Sequence, residues 1–176
     1  MIEIKTGDIP CCAYVSDVPD HLSFKEWFLN YINSSIVFSM IDKSNDHYIY
    51  NTDFYNSNFH KDYHDVITPI INNHNLSLFY FLKYKEDYFF RIKKLWFQQY
   101  AKGDGHSWHR HDGVFSSVYY VDLPNGASST TFRFQGKEFE IDVKEGQILT
   151  IPSFYEHCSK PNKSDKIKTI IAFNIE

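Results

Sequence analysis

From residue 76 onward the chain is a series of short runs rich in β-branched and aromatic residues, joined by turns too short to hold crossover helices. The runs are "LSLFYFLKY", "YFFRIKKLWFQQY", "FSSVYYVDL", "TTFRFQ", "KEFEIDV", "GQILTIP" and "KTIIAFNIE". Turn signals such as "KGDG", "PNGA" and "KEG" separate them. A parallel strand pair needs a connection of a dozen or more residues, usually a helix, so these strands are expected to pair antiparallel. So many of them in one chain imply a β-sandwich or a barrel, a mainly β fold with α-helices packed on its outside.

The first 75 residues read differently. "EIKTGDIPCCAYVSDVP" predicts one or two short strands with a turn. "SFKEWFLNYINSS" places Phe24, Trp27, Phe28 and Tyr31 at helical spacing, with Ser23 as its N-cap. "HKDYHDVITPIINNHN" predicts a second helix that Pro69 either kinks or brings to an end. Between the helices, residues 41–58 are polar and aromatic without a period, which predicts a long surface loop with one strand. No repeat or low-complexity linker divides the 176 residues. The expectation is a single domain over 1–176, with 1–75 as a mixed helical elaboration and 76–176 as the β core.

Composition narrows the function classes. The chain is 43% hydrophobic and 18% aromatic, which excludes disorder, and its net charge of −4 argues against a general nucleic-acid-binding surface. No apolar run reaches the roughly 18 residues that a membrane helix needs. The N-terminus lacks the charged-then-apolar layout of a secretion signal. The three cysteines are Cys11, Cys12 and Cys158, and adjacent cysteines are poorly placed to join to each other. A reducing, cytoplasmic compartment is expected.

Chemistry concentrates in "GHSWHRHDG". On an extended strand, residues two apart face the same way, so His109 and His111 aim their imidazoles at one point while Trp108, Arg110 and Asp112 point elsewhere. A divalent metal needs convergent ligands on a stiff scaffold, and His-x-His supplies two. The third candidate is His157 in "EGQILTIPSFYEHCSKPN", beyond the end of a strand that a rolled-up antiparallel sheet can bring alongside. Three protein ligands leave up to three positions of an octahedral iron open. His21, His47 and His74 read as isolated surface histidines. His60 and His64 stand at i, i+4 but lack the glutamate of H-E-x-x-H, so they read as a solvated helix face. Cys158 follows His157 directly and, in an extended strand, faces away from it, which gives nucleophilic catalysis little support.

In order and spacing, "WFQQYAKGDGHSWHRH", "FSSVYYVDLP", "VKEGQILTIPSFYEHCSKPN" and "KTIIAFNIE" resemble the iron(II)/2-oxoglutarate-dependent oxygenases. The likeness is to the small phage- and bacteria-encoded members related to prolyl hydroxylases. It covers about residues 95–176, and residues 1–94 match nothing by inspection. It implies a double-stranded β-helix, the jelly-roll or cupin-like barrel. It also implies Fe(II) and 2-oxoglutarate as cofactors, and a hydroxylation that consumes oxygen and yields succinate. His109 and His157 fall on the family's two metal-binding histidines. Lys168 falls where the family places a cation that pairs with the far carboxylate of 2-oxoglutarate. Tyr120 falls on a tyrosine that hydrogen-bonds the cosubstrate, with Tyr100 as a second candidate. The substrate is a small molecule or peptide of unspecified identity, and barrels of this kind also pair as homodimers.

This sequence departs from the family at one position. Most members carry H-x-D, and here the second place is His111, with Asp112 one residue too late unless a bulge turns it inward. A three-histidine, cupin-like dioxygenase independent of 2-oxoglutarate is therefore an alternative. Gly103 followed by five residues and His-x-His resembles the first cupin motif, and Gly146, Pro152 and His157 resemble the second. The cupin glutamate expected near Phe115 or Ser116 is missing. A non-enzymatic metal-binding barrel is the third reading.

Overall fold

Alternation of side chains along the strands decides what lies inside this molecule. The computed structural model describes residues 3–6, 9–34, 49–54, 61–83 and 90–176. In chain order its elements are β1 (Glu3–Thr6), β2 (Ile9–Cys12), β3 (Tyr14–Asp17), α1 (His21–Ser34), β4 (Asn51–Thr52), α2 (Lys61–Phe81), β5 (Ile92–Tyr100) and β6 (His106–His109). They continue with β7 (Phe115–Asp122), β8 (Thr130–Phe134), β9 (Lys137–Glu140), β10 (Gln147–Pro152), β11 (Glu156–Ser159) and β12 (Lys168–Ile175).

A six-stranded sheet runs β3-β10-β7-β12-β5-β4, a four-stranded sheet runs β6-β11-β8-β9, and β1 and β2 form a separate hairpin. All the pairings are antiparallel, as the short connections require. With the two flanking helices, this is the expected double-stranded β-helix.

The strand β12 shows how the layers are made. All eight of its residues are buried, because both faces of the large sheet are covered. Ile171, Phe173 and Ile175 join a core with Phe24, Phe28 and Ile32 of α1 and with Tyr63, Ile67, Ile71 and Leu78 of α2. Its other face turns to the space between the sheets, where Ile170 packs with Tyr120, Leu149 and Ile151 and with Phe132 of the small sheet. Each fully buried Phe or Ile contributes about 1.5–3 kcal/mol relative to exposure, so the two cores together hold the barrel against its chain entropy.

Two local expectations are corrected and a third, at Pro69, is narrowed to one of its two alternatives. The run from residue 76 is not a strand: α2 continues to Phe81. Its buried side chains Tyr63, Ile67, Ile71, His74 and Leu78 follow one helical stripe across that boundary, so packing on the sheet overrides the β-like composition. Pro69 lies within the helix and does not end it. The first helix starts at His21, with the amides of Ser23 and Phe24 bonded to the carbonyl of Asp20, so Ser23 lies in the first turn instead of capping it.

Residues of the first 75 also enter the main sheet. β3 pairs with β10, and β4 pairs with β5 at the opposite edge. Much of the long loop expected at 41–58 lies outside the described residues, as do His47 and His60. His64 is half-buried. His74 is not a surface residue. It is 3% exposed, with Nδ1 2.6 Å from Ser16 Oγ and Nε2 2.7 Å from Thr150 Oγ1. Burial lowers its pKa to about 3. His21 is half-buried as well, with Nδ1 2.7 Å from the Tyr119 hydroxyl. Among the described residues, no helix is long and apolar enough to cross a membrane.

Candidate metal centre

The strands β6 and β11 are neighbours, and their register sets His109 directly opposite His157. The next pairing is His106 with Ser159, which is three residues along one strand against two along the other. The extra residue is a bulge in β6. It brings the His106 ring to 3.9 Å from the His109 ring, although an odd spacing on a regular strand would send the two to opposite faces. His111 follows two residues after β6, its ring 4.8 Å from that of His109 and 5.0 Å from that of His157. His109 and His157 stand 4.4 Å apart.

One ligand nitrogen from each of His109, His111 and His157 lies within 4.8 Å of the others. The Nδ1 of His109 is 2.7 Å from the Ser107 carbonyl, and the Nδ1 of His157 is 3.1 Å from the Tyr155 carbonyl. A carbonyl only accepts, so Nδ1 carries the proton in both rings and Nε2 keeps its lone pair. Burial, followed by the neighbouring imidazoles, lowers the pKa of His157 to about 3 and of His111 to about 4. Neutral imidazole is the form that ligates metal.

The spacing also fits. The Nε2 atoms of His109 and His111 are 3.1 Å apart. Two nitrogens about 2.1 Å from a common ion and at right angles lie about 3.0 Å apart. An all-imidazole set suits iron, zinc, copper or nickel. Asp112 is exposed and is not part of this group, so the structure brings in His111 rather than its neighbour.

A cavity opens beside the three rings, lined among others by Lys168, Tyr100, Thr130 and Ser159 at one end and by Trp96 and Asn174 further along. Lys168 is 1% exposed. Its ammonium donates to the Ser128 carbonyl at 2.8 Å and to Ser159 Oγ at 3.0 Å, and it lies 5.1 Å from the Tyr100 ring centre. Neither hydrogen-bond partner is a carboxylate, and burial lowers the pKa of Lys168 to about 8. An ammonium buried without a counter-charge is expensive unless an anion arrives to meet it.

The two tyrosines differ in what they offer. Tyr100 lines the cavity and donates its hydroxyl to Gln98 Oε1 at 2.8 Å. The Tyr120 hydroxyl donates to Thr130 Oγ1 at 2.9 Å and accepts from the Thr130 amide at 3.0 Å, so it bears on the cavity through Thr130. Sequence reasoning passed over His106, Gln98, Trp96 and Asn174. Asn174 could have been found by counting in twos from Lys168, but the inward turn of His106 depends on a bulge that no residue signals.

No protein-family model matches the sequence, and no curated protein matches it either. Solved structures do match. The α-ketoglutarate-dependent epimerase SnoN from nogalamycin biosynthesis superposes with a TM-score of 0.68 at 12% identity, over 94% of this chain and 78% of its own. The viral collagen prolyl hydroxylase of Paramecium Bursaria Chlorella virus-1 gives 0.61 at 15% identity, over 93% and 94%. An oxidoreductase of the 2OG-Fe(II) oxygenase family from Burkholderia pseudomallei gives 0.55 at 12% identity over 64% of this chain, which spans 55% of that protein's length. The first two matches reach well beyond residues 95–176 and take in most of the N-terminal part. This chain has the fold of the 2OG-Fe(II) oxygenases on which it superposes.

Proposed function

We propose that this protein is an Fe(II)- and 2-oxoglutarate-dependent oxygenase, a hydroxylase of the small phage and bacterial type. Its metal would be held by His109, His111 and His157, and Lys168 would receive the far carboxylate of 2-oxoglutarate. The observation that carries this reading is the sharing of one cavity by three imidazoles and a buried ammonium whose hydrogen-bond partners among the described residues include no carboxylate. Bound together, the metal and cosubstrate supply oxygen activation coupled to decarboxylation of 2-oxoglutarate. The chain's own residues do the positioning. The Ser107 and Tyr155 carbonyls fix the tautomer and tilt of two ligands. Ser159 and Ser128 hold the ammonium in place, and Tyr100 and Thr130 form the cosubstrate wall, with Tyr120 locking the Thr130 hydroxyl. The apolar core around Phe132 and Tyr155 excludes water from that end.

The substrate in this reading is a small molecule or a peptide, and the compartment is cytoplasmic. The chain works as one domain, which is supported by the entry of β3 and β4 into the main sheet. Homodimerisation through an outer face is part of the same proposal. The test is anaerobic titration of Fe(II) and 2-oxoglutarate, which should produce the weak visible charge-transfer band of the chelate. Succinate should then form once oxygen is admitted. The third imidazole in place of a carboxylate favours a second reading, a three-histidine dioxygenase. Iron binding with no such band, and oxygen uptake independent of 2-oxoglutarate, would select it. A protein that binds no metal, and in which His109→Ala and His157→Ala change only stability, would have a structural role.

A further inference from the structure

Beyond the metal, the cavity has a second end whose chemistry the proposed cosubstrate does not use. The face of β12 that carries Lys168 continues through Ile170 and Ala172 to Asn174, all on the cavity wall. Six residues of strand separate Lys168 from Asn174, about 20 Å at 3.3 Å per residue. A five-carbon diacid anchored at Lys168 is far too short to reach the other end.

The cross-strand partners of Asn174 are Lys94 on β5 and Ser116 on β7. Asn174 is 5% exposed; its Oδ1 accepts from Ser116 Oγ at 3.2 Å, and its Nδ2 has no hydrogen-bond partner among the described residues. The Nε1 of Trp96, one step along the same face of β5 from Lys94, is buried without a hydrogen-bond partner among the described residues. The Lys94 ammonium rests 3.2 Å above the Phe54 ring and 5.7 Å from the Trp96 ring, and it pairs with no carboxylate among the described residues. Trp96 in turn lies 5.4 Å from His111, ring to ring, so this end adjoins the metal ligands. The unmet groups here, an amide N–H₂, an indole N–H and an ammonium, are all donors. Such a surface calls for a ligand rich in acceptors and negatively charged.

We propose that Lys94 and Asn174, with Trp96 behind them, form the substrate subsite, and that it takes a carboxylate carried by a small substrate. One ammonium beside one amide N–H₂ suits a planar, two-oxygen anion better than a tetrahedral dianion, for which a denser cluster of cations is the usual receptor. This assignment rests on the oxygenase reading above, in which Lys168 is already committed to 2-oxoglutarate.

The test is nuclear magnetic resonance on the full-length, metal-free, ¹⁵N-labelled protein. The Asn174 side-chain amide and the Trp96 indole signals are assigned with N174A and W96F, and N-acetylglycine serves as the probe. Its carboxylate should move both signals saturably, whereas the matched neutral N-acetylglycinamide should bind at least tenfold more weakly. Lys94 is exposed, so K94Q keeps the core intact, and it should weaken N-acetylglycine at least tenfold while leaving 2-oxoglutarate binding unchanged. The assignment is overturned if the amide binds as well as the acid, if K94Q has no effect, or if inorganic phosphate binds there more tightly than the acid. It is also overturned if 2-oxoglutarate itself occupies the Lys94 end. Failure of the oxygenase reading has a separate signature, in which 2-oxoglutarate leaves the signals of Thr130 and Ser159 unmoved and K168M changes nothing.

Discussion

Lys168 holds a positive charge where water has almost no access, and the consequence is a pH dependence that an ordinary surface lysine would not show. Burial places its pKa at about 8, below the usual 10.5. Only the protonated form pairs with a carboxylate, so affinity for 2-oxoglutarate should be level below pH 8. Above it, affinity should fall about tenfold per pH unit. Titration calorimetry of the metal-loaded protein between pH 6.5 and 9.5 measures this, and an affinity unchanged up to pH 9.5 would place the cosubstrate elsewhere. At a hundred times its Kd, 2-oxoglutarate should stabilise the wild type by about 2.7 kcal/mol and K168M not at all, as thermal unfolding reports. The ligand set separates two neighbours equally cleanly. His111→Ala should remove most of the metal affinity, whereas Asp112→Asn, at an exposed position outside the cluster, should leave it unchanged. Equilibrium dialysis with Fe(II) or a stable divalent surrogate distinguishes the two.

The pairing of β6 with β11 is the element on which the candidate metal centre depends. At Gly105, just before β6, a Cβ would come within 2.7 Å of the Ser159 carbonyl oxygen and 3.2 Å of the Pro161 nitrogen, both backbone atoms with little freedom to move. Gly105→Ala should therefore push β6 away from β11, cost about 1–3 kcal/mol and lower metal affinity by separating His109 from His157. Gly136 is the control: its φ of +74° strains any other residue, but a Cβ there meets nothing within 4 Å. Gly136→Ala should cost about 1–2 kcal/mol and leave metal binding intact. Denaturant melts combined with a metal titration tell the two apart. At this scale the sequence was legible wherever period and pairing agreed. His-x-His on an extended segment and a lone histidine on a later strand do converge, because antiparallel register sets His109 beside His157. It was not legible where one residue of slippage decides direction, as with His106. Nor was it legible where aromatic side chains suit a strand and a helix equally, as in "LSLFYF", which joins α2 because its stripe of buried residues continues from Tyr63.

At the scale of the whole molecule, what the sequence concealed was how far its first third is built into the main sheet. An antiparallel sandwich or barrel with outer helices follows from turn spacing and strand composition, but the surface histidine expected at position 74 is instead a buried link between α2, β3 and β10. Only the docking of that helix, which joins residues distant in sequence, buries it. The same burial makes the fold sensitive to acid. With a folded pKa of about 3 against 6.5 in the unfolded chain, His74 stays neutral in the fold where the unfolded chain has already taken up a proton. Its contribution to stability is therefore complete above pH 6.5 and is lost progressively as the pH falls toward 3, by up to about 1.4 kcal/mol per pH unit. His111 and His157 add to the slope in the metal-free protein, since their pKa values are lowered in the same direction. Among the described residues, the Ser16 and Thr150 hydroxyls and the rings of Tyr14 and Phe173 pack around His74, and none of these groups is charged to offset the effect. Urea unfolding of the metal-free protein should give a stability that drops steeply from pH 7 to pH 4. H74Q, which keeps a polar side chain between the two hydroxyls, should be less stable at pH 7 and should follow a shallower curve that converges on the wild type in acid. Parallel curves would mean that His74 titrates in the fold as it does in the open chain, and that its burial beneath α2 has been misread.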